Sequence, residues 1–340
     1  MLRNWWKFLG VLLLAYSVYA GLANPLAPGI ISAKSSATYT SDSTFTVTVF
    51  GYNTRFQSEN AGLQAWLMNN DKPVCATRVE VIDETHAILH FPPIAPIKDP
   101  LFTLKMHSAG DGLLVMENAI WTADTVTAGL TQVCQPNIAS EDQNYHAYPF
   151  RYILYESIRN LFLHVPMWFA MIALLSWALY NNFKYLRGFN IDYDHRAHES
   201  VKVALVFGLL GLITGSLWAR STWGAWWVDD TKLNGTAITM LSYLAYLVLR
   251  NSIEDEQKRA RVSAIYSIFA YMMMLVLIGL LPRLNDSLHP GNGGNPAFSN
   301  YDLDNTMRPV FYAAVLGWII VGIWISGIRY RMRKLKEAHT

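Results

Sequence analysis

The sequence is short of charge. Only 15% of its 340 residues are Asp, Glu, Lys or Arg, while 52% are hydrophobic, with long apolar runs concentrated in the second half. That combination excludes a disordered polyelectrolyte and points to an integral membrane protein with a more polar N-terminal portion. The 27 basic and 25 acidic residues nearly cancel, and a net charge of +2 makes no case for a nucleic-acid partner. Cysteine is almost absent: Cys75 and Cys134 are the only two, with no CxxC pair, so the chain has no thiol-redox motif of its own. His86, His90 and His107 lack metal-ligand spacing and read as ordinary strand or surface histidines.

What the chain does have is tryptophan, and it is concentrated. Between residues 215 and 235, Trp218, Trp223, Trp226 and Trp227 fall within ten positions, interleaved with Arg220 and closed by Asp229, Asp230 and Lys232. An interfacial aromatic belt is the simplest reading. Belts, however, spread their rings over several helix ends and need no Arg, two Asp and a Lys in the same stretch. A hydrophobic platform edged by fixed charges suits a flat, apolar ligand with acidic groups at its rim.

In chain order, Arg3 and Lys7 flank Trp5 and Trp6 ahead of the apolar run Phe8 to Leu22. This run reads equally as a cleaved secretory signal and as an uncleaved first helix within residues 1–24. Residues 25–150 read as a strand-dominated, water-soluble domain. Phe45 to Phe50 alternates at period two, Thr77–Ile82 and Ala87–Phe91 flank a short connection that predicts a hairpin, and Phe102–Met106 follows a proline-broken stretch. The spacing predicts a small sandwich. Its cysteines are compatible with a disulfide in an oxidising compartment.

From Arg151 to the end, apolar stretches at 161–183, 201–218, 236–250, 262–281 and 309–328 predict membrane spans, the one at 236–250 short enough to need its flanks. Basic residues orient them. Lys184, Arg187 and Arg196 in one loop, Arg250, Lys258, Arg259 and Arg261 in another, and the tail from Arg329 to Lys336 are assigned to the cytoplasm. The 215–235 segment, the segment 282–308 and the strand domain then lie outside. Asp192, Asp194 and Glu254 to Glu256 read as solvated loop charges, His195 and His198 as cytoplasmic loop residues, and Pro290 to Asn305 as a flexible outer loop. His164, at the outer end of its span, and His289, in the other outer loop, come to the same face as the tryptophans. Pro166 marks His164 as lying near a helix start. A porphyrin needs apolar faces, axial ligands and cations for its propionates. The tryptophans, the two histidines, and Arg159, Arg220 or Lys232 are residue types that supply each.

Two resemblances bear on these readings. Pro25 to Asn53 is similar to the opening of the immunoglobulin-like TIG family over one strand pair and a turn. Trp-Gly-x-Trp-Trp-x-x-Asp at 223–230, preceded by Gly-Ser-x-Trp, with His164-Val-Pro upstream and Leu-His289 downstream, resembles the CcmC family of haem-handling membrane proteins across residues 150–335. The resemblance implies an α-helical polytopic protein of the bacterial inner membrane. It would have six transmembrane helices, Phe8–Leu22 being the first and uncleaved, and both termini in the cytoplasm. An all-β periplasmic domain at 25–150 would be inserted before a haem-handling domain at 151–340. It also implies haem b, held non-covalently and transiently by His164 and His289 as axial ligands, with Trp218, Trp223, Trp226, Trp227 and Asp230 around the porphyrin. Arg159 and Lys232 match basic positions near the propionates, the second usually arginine. The implied partners are the haem chaperone CcmE, the ABC transporter CcmA/CcmB, the small subunit CcmD and membrane lipid.

This chain departs from the pattern in carrying Asp229 where a tryptophan is common, and in its inserted domain of about 120 residues, where a short loop is usual. Family behaviour implies a carrier step and no bond-making catalysis. A synthase role like that of CcmF and CcsA, which share the tryptophan-rich stretch, is the alternative. A membrane-anchored docking or adhesion protein acting through its β domain is the reading from another class.

Overall fold

The computed structural model divides the chain into Met1–Asn24 with Glu156–Thr340, and Pro25–Tyr155. It describes residues 4–36, 45–58, 62–69, 72–92, 101–121, 147–289, 298 and 303–339.

Pro25–Tyr155 is built from period-two alternation. In β2 (Phe45–Tyr52) Phe45, Val47 and Val49 point inward while Thr46, Thr48 and Phe50 face outward. β2 pairs antiparallel with β1 (Gly29–Ser35) and with β6 (His86–Phe91), and β6 pairs with β5 (Arg78–Val81), giving the order β1-β2-β6-β5. The β5–β6 connection is the hairpin that the sequence predicts. Asp83 holds it, accepting from the backbone N–H of Thr85 at 2.7 Å and of His86 at 2.8 Å. The second sheet has the order β4-β3-β7-β8, from β3 (Gln64–Asn69), β4 (Lys72–Cys75), β7 (Leu101–Ser108) and β8 (Gly112–Trp121). Inward residues of both sheets, among them Val47, Leu89, Phe91, Leu67, Phe102, Leu104 and Ile120, form one core. The unit is therefore a two-sheet sandwich.

β3 and β8 escape the alternation rule for identifiable reasons. Ala65, Trp66 and Leu67 are all buried in succession in β3. In β8 a bulge shifts the register between Phe102 and Leu104 of its partner, with Asn118 at φ 52°. Cys75 of β4 is disulfide-bonded. Cys134 and the prolines at 93, 96 and 100 lie outside the described residues.

The other unit contains, among the described residues, α1 (Trp5–Ala23), α2 (Leu161–Gly188), α3 (Ile191–Trp223), α4 (Thr231–Asn251), α5 (Glu256–Met274), α6 (Leu281–Leu284) and α7 (Arg308–His339). Among the described residues five helices are long and apolar enough to cross a membrane: Trp5–Ala23, Tyr155–Gly188, Ile191–Trp223, Glu256–Leu284 and Arg308–His339. α4 has the length, at 21 residues. Its composition falls short because Thr236, Thr239, Tyr243, Tyr246 and Arg250 are turned into the protein. The apolar 236–250 core does borrow its flanks from both sides.

The helices run well past the apolar stretches, and this corrects three loop readings. α2 and α3 are joined by only Phe189 and Asn190: Phe189 takes the left-handed conformation that ends α2, and the Asn190 side chain caps α3 by accepting from the Asp192 N–H at 3.0 Å. Asp192, Asp194, His195 and His198 are thus helical. Asp194, His195 and His198 are buried, and Asp194 pairs with Arg250 of α4, itself buried. Charge near a membrane end does not by itself make a loop. A carboxylate can be sequestered by an arginine far away in sequence.

α5 continues through a wide turn at Leu275–Leu280, where the Leu281 N–H donates to the Val276 carbonyl five residues back, before α6. Pro282, with no N–H to donate, follows at once, and widening the preceding turn absorbs that loss. Gly235 of α4 lies against this turn. A Cβ there would stand 2.4 Å from the Leu277 carbonyl oxygen, so only glycine allows the two backbones to approach so closely.

Candidate functional site

The tryptophan stretch is mostly helix. α3 carries Trp218, Arg220 and Trp223 in its last turns, and only residues 224–230 connect it to α4. α3 stops because Gly224 adopts φ +76°, a left-handed conformation, while the exposed Arg220 donates to the Gly224 carbonyl. α4 starts because Asp230 caps it, its carboxylate accepting from the N–H groups of Lys232 at 3.0 Å and Leu233 at 3.1 Å.

Asp230 has a second task. Its other oxygen accepts from the Leu288 N–H at 2.8 Å, and Oδ1 lies 3.1 Å from Nδ1 of His289. One buried carboxylate thus ties residues 288 and 289 to the first turn of α4. Burial alone would push its pKa up, but the hydrogen bonds from Leu288, Ser287 and Leu233, with His289 beside it, hold it below the ordinary carboxylate value. Burial, helped by the charge of Lys232, pushes His289 below the ordinary imidazole value against the pull of Asp230.

His164 sits in α2, which begins at Leu161, so Pro166 falls inside the helix and not at its first position. Its Nδ1 lies 3.0 Å from the Gly211 carbonyl and 3.2 Å from the Thr214 hydroxyl, both on α3. Gly215 makes room for the ring, since a Cβ there would stand 2.6 Å from Cε1 of His164. In both histidines, then, Nδ1 is taken by a protein oxygen, which leaves Nε2 as the nitrogen that could coordinate a metal. A metal-binding imidazole is oriented in the same way.

The tryptophans divide between the two histidines. Trp218 meets His164 edge-on with ring centres 5.9 Å apart, joined by Trp168 at 6.2 Å. Trp223 meets His289 edge-on at 5.3 Å. Trp226 and Trp227 are exposed. The Trp218 indole N–H is buried with no hydrogen-bond partner among the described residues. Asp229 is exposed and accepts from the Asn234 side chain at 2.7 Å, so it fixes the entry to α4 and does not stand in for an aromatic ring.

Of the three candidate cations, Lys232 is brought to the site, Arg159 is occupied elsewhere and Arg220 is turned to the Gly224 carbonyl. Lys232 and His289 are both within electrostatic reach of His164, and among the described residues the Lys232 ammonium has no hydrogen bond or ion pair. Arg159 donates to the carbonyls of Gly21 at 2.7 Å and Asn24 at 2.8 Å and pairs with Glu156. It clamps the C-terminal end of α1, where a cation is favoured. The sequence reading misses Arg283, which lies within reach of Lys232 and is exposed. It also misses Gly211, Thr214 and Gly215, whose three- and four-residue spacing on one helix face was the available signal. The stretch Pro290–Asn305 falls mostly outside the described residues.

An apolar, aromatic-edged site with two oriented imidazoles, an unpartnered indole N–H and unpaired cations fits an iron porphyrin with its carboxylates. The family model described as CcmC, heme exporter protein C, matches residues 129–339, more than half of the chain. The chain belongs to the CcmC family. Its relatives include heme exporter protein C of Haemophilus influenzae, 25% identical over 189 residues, 53% of this chain and 73% of that protein. The Escherichia coli K12 protein of the same name is 24% identical over 188 residues, 52% of this chain and 69% of the relative. That of Paracoccus denitrificans is 28% identical over 137 residues, 40% and 56% respectively. The CcmC match takes in α2 to α7, and thereby both histidines and the tryptophan stretch. Most of the two-sheet unit lies before it.

Proposed function

We propose that this chain holds haem b, non-covalently and transiently, between His164 and His289, and passes it to the periplasmic chaperone CcmE during cytochrome c maturation. The observation that carries this reading is the shared state of the two imidazoles. Each has Nδ1 fixed by a protein oxygen, Gly211 O for His164 and the Asp230 carboxylate for His289, which leaves Nε2 for iron. Trp218 and Trp223 supply aromatic edges, Trp226 and Trp227 exposed rings for the porphyrin, and Lys232 with Arg283 the cations for the propionates. The absence of a CxxCH motif accords with non-covalent holding. The chain acts as a carrier and not as a synthase. His195 and His198, the other histidines of the helical unit outside the tail, are enclosed beside Tyr246, Glu256 and Glu337 with no tryptophan platform.

In this reading six helices cross the bacterial inner membrane with both termini in the cytoplasm, and the haem site faces the periplasm with an immunoglobulin-like sandwich. CcmA/CcmB and CcmD are the working partners. Direction comes from differential affinity, since the site need only hold haem more weakly than the next acceptor.

The test is an absorption spectrum of the detergent-purified protein, oxidised and reduced. A low-spin haem signal is expected in the parent, and its collapse in the His164→Ala, His289→Ala double variant. A protein that stays colourless after haem addition, or a double variant that binds and delivers haem like the parent, rejects the assignment.

A further inference from the structure

A second site lies elsewhere in the helical unit, among the N-terminal turn of α1, the C-terminal half of α2, the start of α3 and the middle turns of α7. A cleft of about 200 Å³ is lined there by Trp6, Trp177 and Trp324, by Lys7, Arg196 and Arg331, and by Gly327. Its chemistry is one-sided: three cations and three indoles, with no carboxylate. Lys7 lies over the rings of Trp6 at 5.8 Å and Trp324 at 5.4 Å, and Arg196 over Tyr330 at 4.4 Å. The neighbouring acids are committed to other bases: Asp192 to Lys334, Glu199 to Lys202 and Arg329, Glu337 to Arg333. Among the described residues, none of Lys7, Arg196 and Arg331 has an ion-pair partner. Of the three cations only Arg196 feels a carboxylate, Asp192, which is already bonded to Lys334, and cations gathered so in one cleft repel one another unless an anion joins them.

We propose that this cleft binds the headgroup of an anionic glycerophospholipid, its phosphate among Lys7, Arg196 and Arg331 and its glycerol region against the indoles. Basic clefts between membrane helices bind anionic headgroups in this way, and indoles favour the depth at which headgroups meet acyl chains. Size decides against a macrocycle: at about 200 Å³ the cleft is below the roughly 300 Å³ at which sites for larger organic ligands begin. The helix backbone at Gly327 leaves the cleft open, since a Cβ there would meet nothing within 4 Å. A larger side chain at 327 therefore fills the cleft without altering its charge.

The experiment titrates the full-length protein in detergent with dihexanoyl phosphatidylglycerol, dihexanoyl phosphatidylcholine and inorganic phosphate, following heat by calorimetry. Saturable binding of the glycerol lipid alone is expected. Lys7→Gln, Arg196→Gln and Arg331→Gln should each weaken it about fivefold, and Gly327→Leu should abolish it, all four variants eluting as the parent does in size exclusion. Equal binding of phosphatidylcholine overturns the proposal, as does inorganic phosphate binding as tightly as the lipid. An unchanged affinity in Gly327→Leu, or displacement of the lipid by haemin, overturns it too. None of these readouts depends on the haem site.

Discussion

Arg250 and Asp194 form a two-point ion pair between α4 and α3, with Nη1 donating to Oδ1 at 2.7 Å and Nη2 to Oδ2. Both side chains are sealed from solvent, at 4% and 2% exposure. A pair this deep is costly to break from one side, because the survivor is left charged without a partner. Arg250→Ala is expected to destabilise the protein by about 3–5 kcal/mol. The double change Asp194→Leu, Arg250→Met should cost much less. Thermal unfolding of the detergent-solubilised variants separates the two: a double variant as unstable as the single one would mean that the pair matters for more than mutual neutralisation.

Gly215 sets the position of His164 by having no side chain. Gly215→Ala places a methyl against Cε1 and should displace the ring from Gly211 and Thr214, lowering haem occupancy while helix content holds. Gly279→Ala, where a Cβ meets nothing within 4 Å, is the control. Circular dichroism and the haem spectrum together read the result. Equal haem content in both variants would show that the ring does not need its α3 partners.

Acid should loosen the His289 segment in two steps. A group whose folded pKa is depressed contributes stability that is complete above its unfolded value and is lost as pH falls through the folded one. His289 is depressed, so its contribution begins to fade as pH drops below about 6.5; Asp230, also depressed, follows below about 3.9. His289→Gln should remove the first part of the decline and leave the second. Melting temperature measured from pH 8 to pH 3 in parent and variant gives the comparison, and superimposable curves would exclude the histidine as the source.

Gly235→Ala tests the contact between α4 and the wide turn that follows α5. The added methyl overlaps the Leu277 carbonyl, an atom that cannot rotate away, and overpacking of this kind costs about 1–3 kcal/mol. A fall in melting temperature is expected, and its absence would show that the two segments are free to part.

The sequence is most legible where one physical rule acts alone. Alternation placed β2, the β5–β6 hairpin and β7, and apolar length placed the spanning helices. It is least legible where two rules compete. The charges from Lys184 to Arg196 read as a loop because their polarity masks the Asn190 cap and the helix-compatible run after it. Asp194 read as solvated because its partner is in another helix. The site behaves similarly. His164, His289, Lys232 and the tryptophans are candidates that residue type and pattern can name, whereas the backbone acceptor at Gly211, the space at Gly215 and the nearness of Arg283 to Lys232 depend on which helix faces pack together. The sequence around Arg159 carries no sign of the Gly21 and Asn24 carbonyls to which its guanidinium donates.

Asp230 holds a helix start with one set of bonds and the backbone and ring of the next segment with another. The backbone that carries His289 is therefore not free to move outward by itself. Its departure requires the Leu288 bond to break or the opening turn of α4, with Lys232 on it, to travel along. In the proposed haem site His289 as ligand and Lys232 as propionate cation would share this one hinge and let go together, so that the grip on a porphyrin would work as a latch with two settings and few stable positions between.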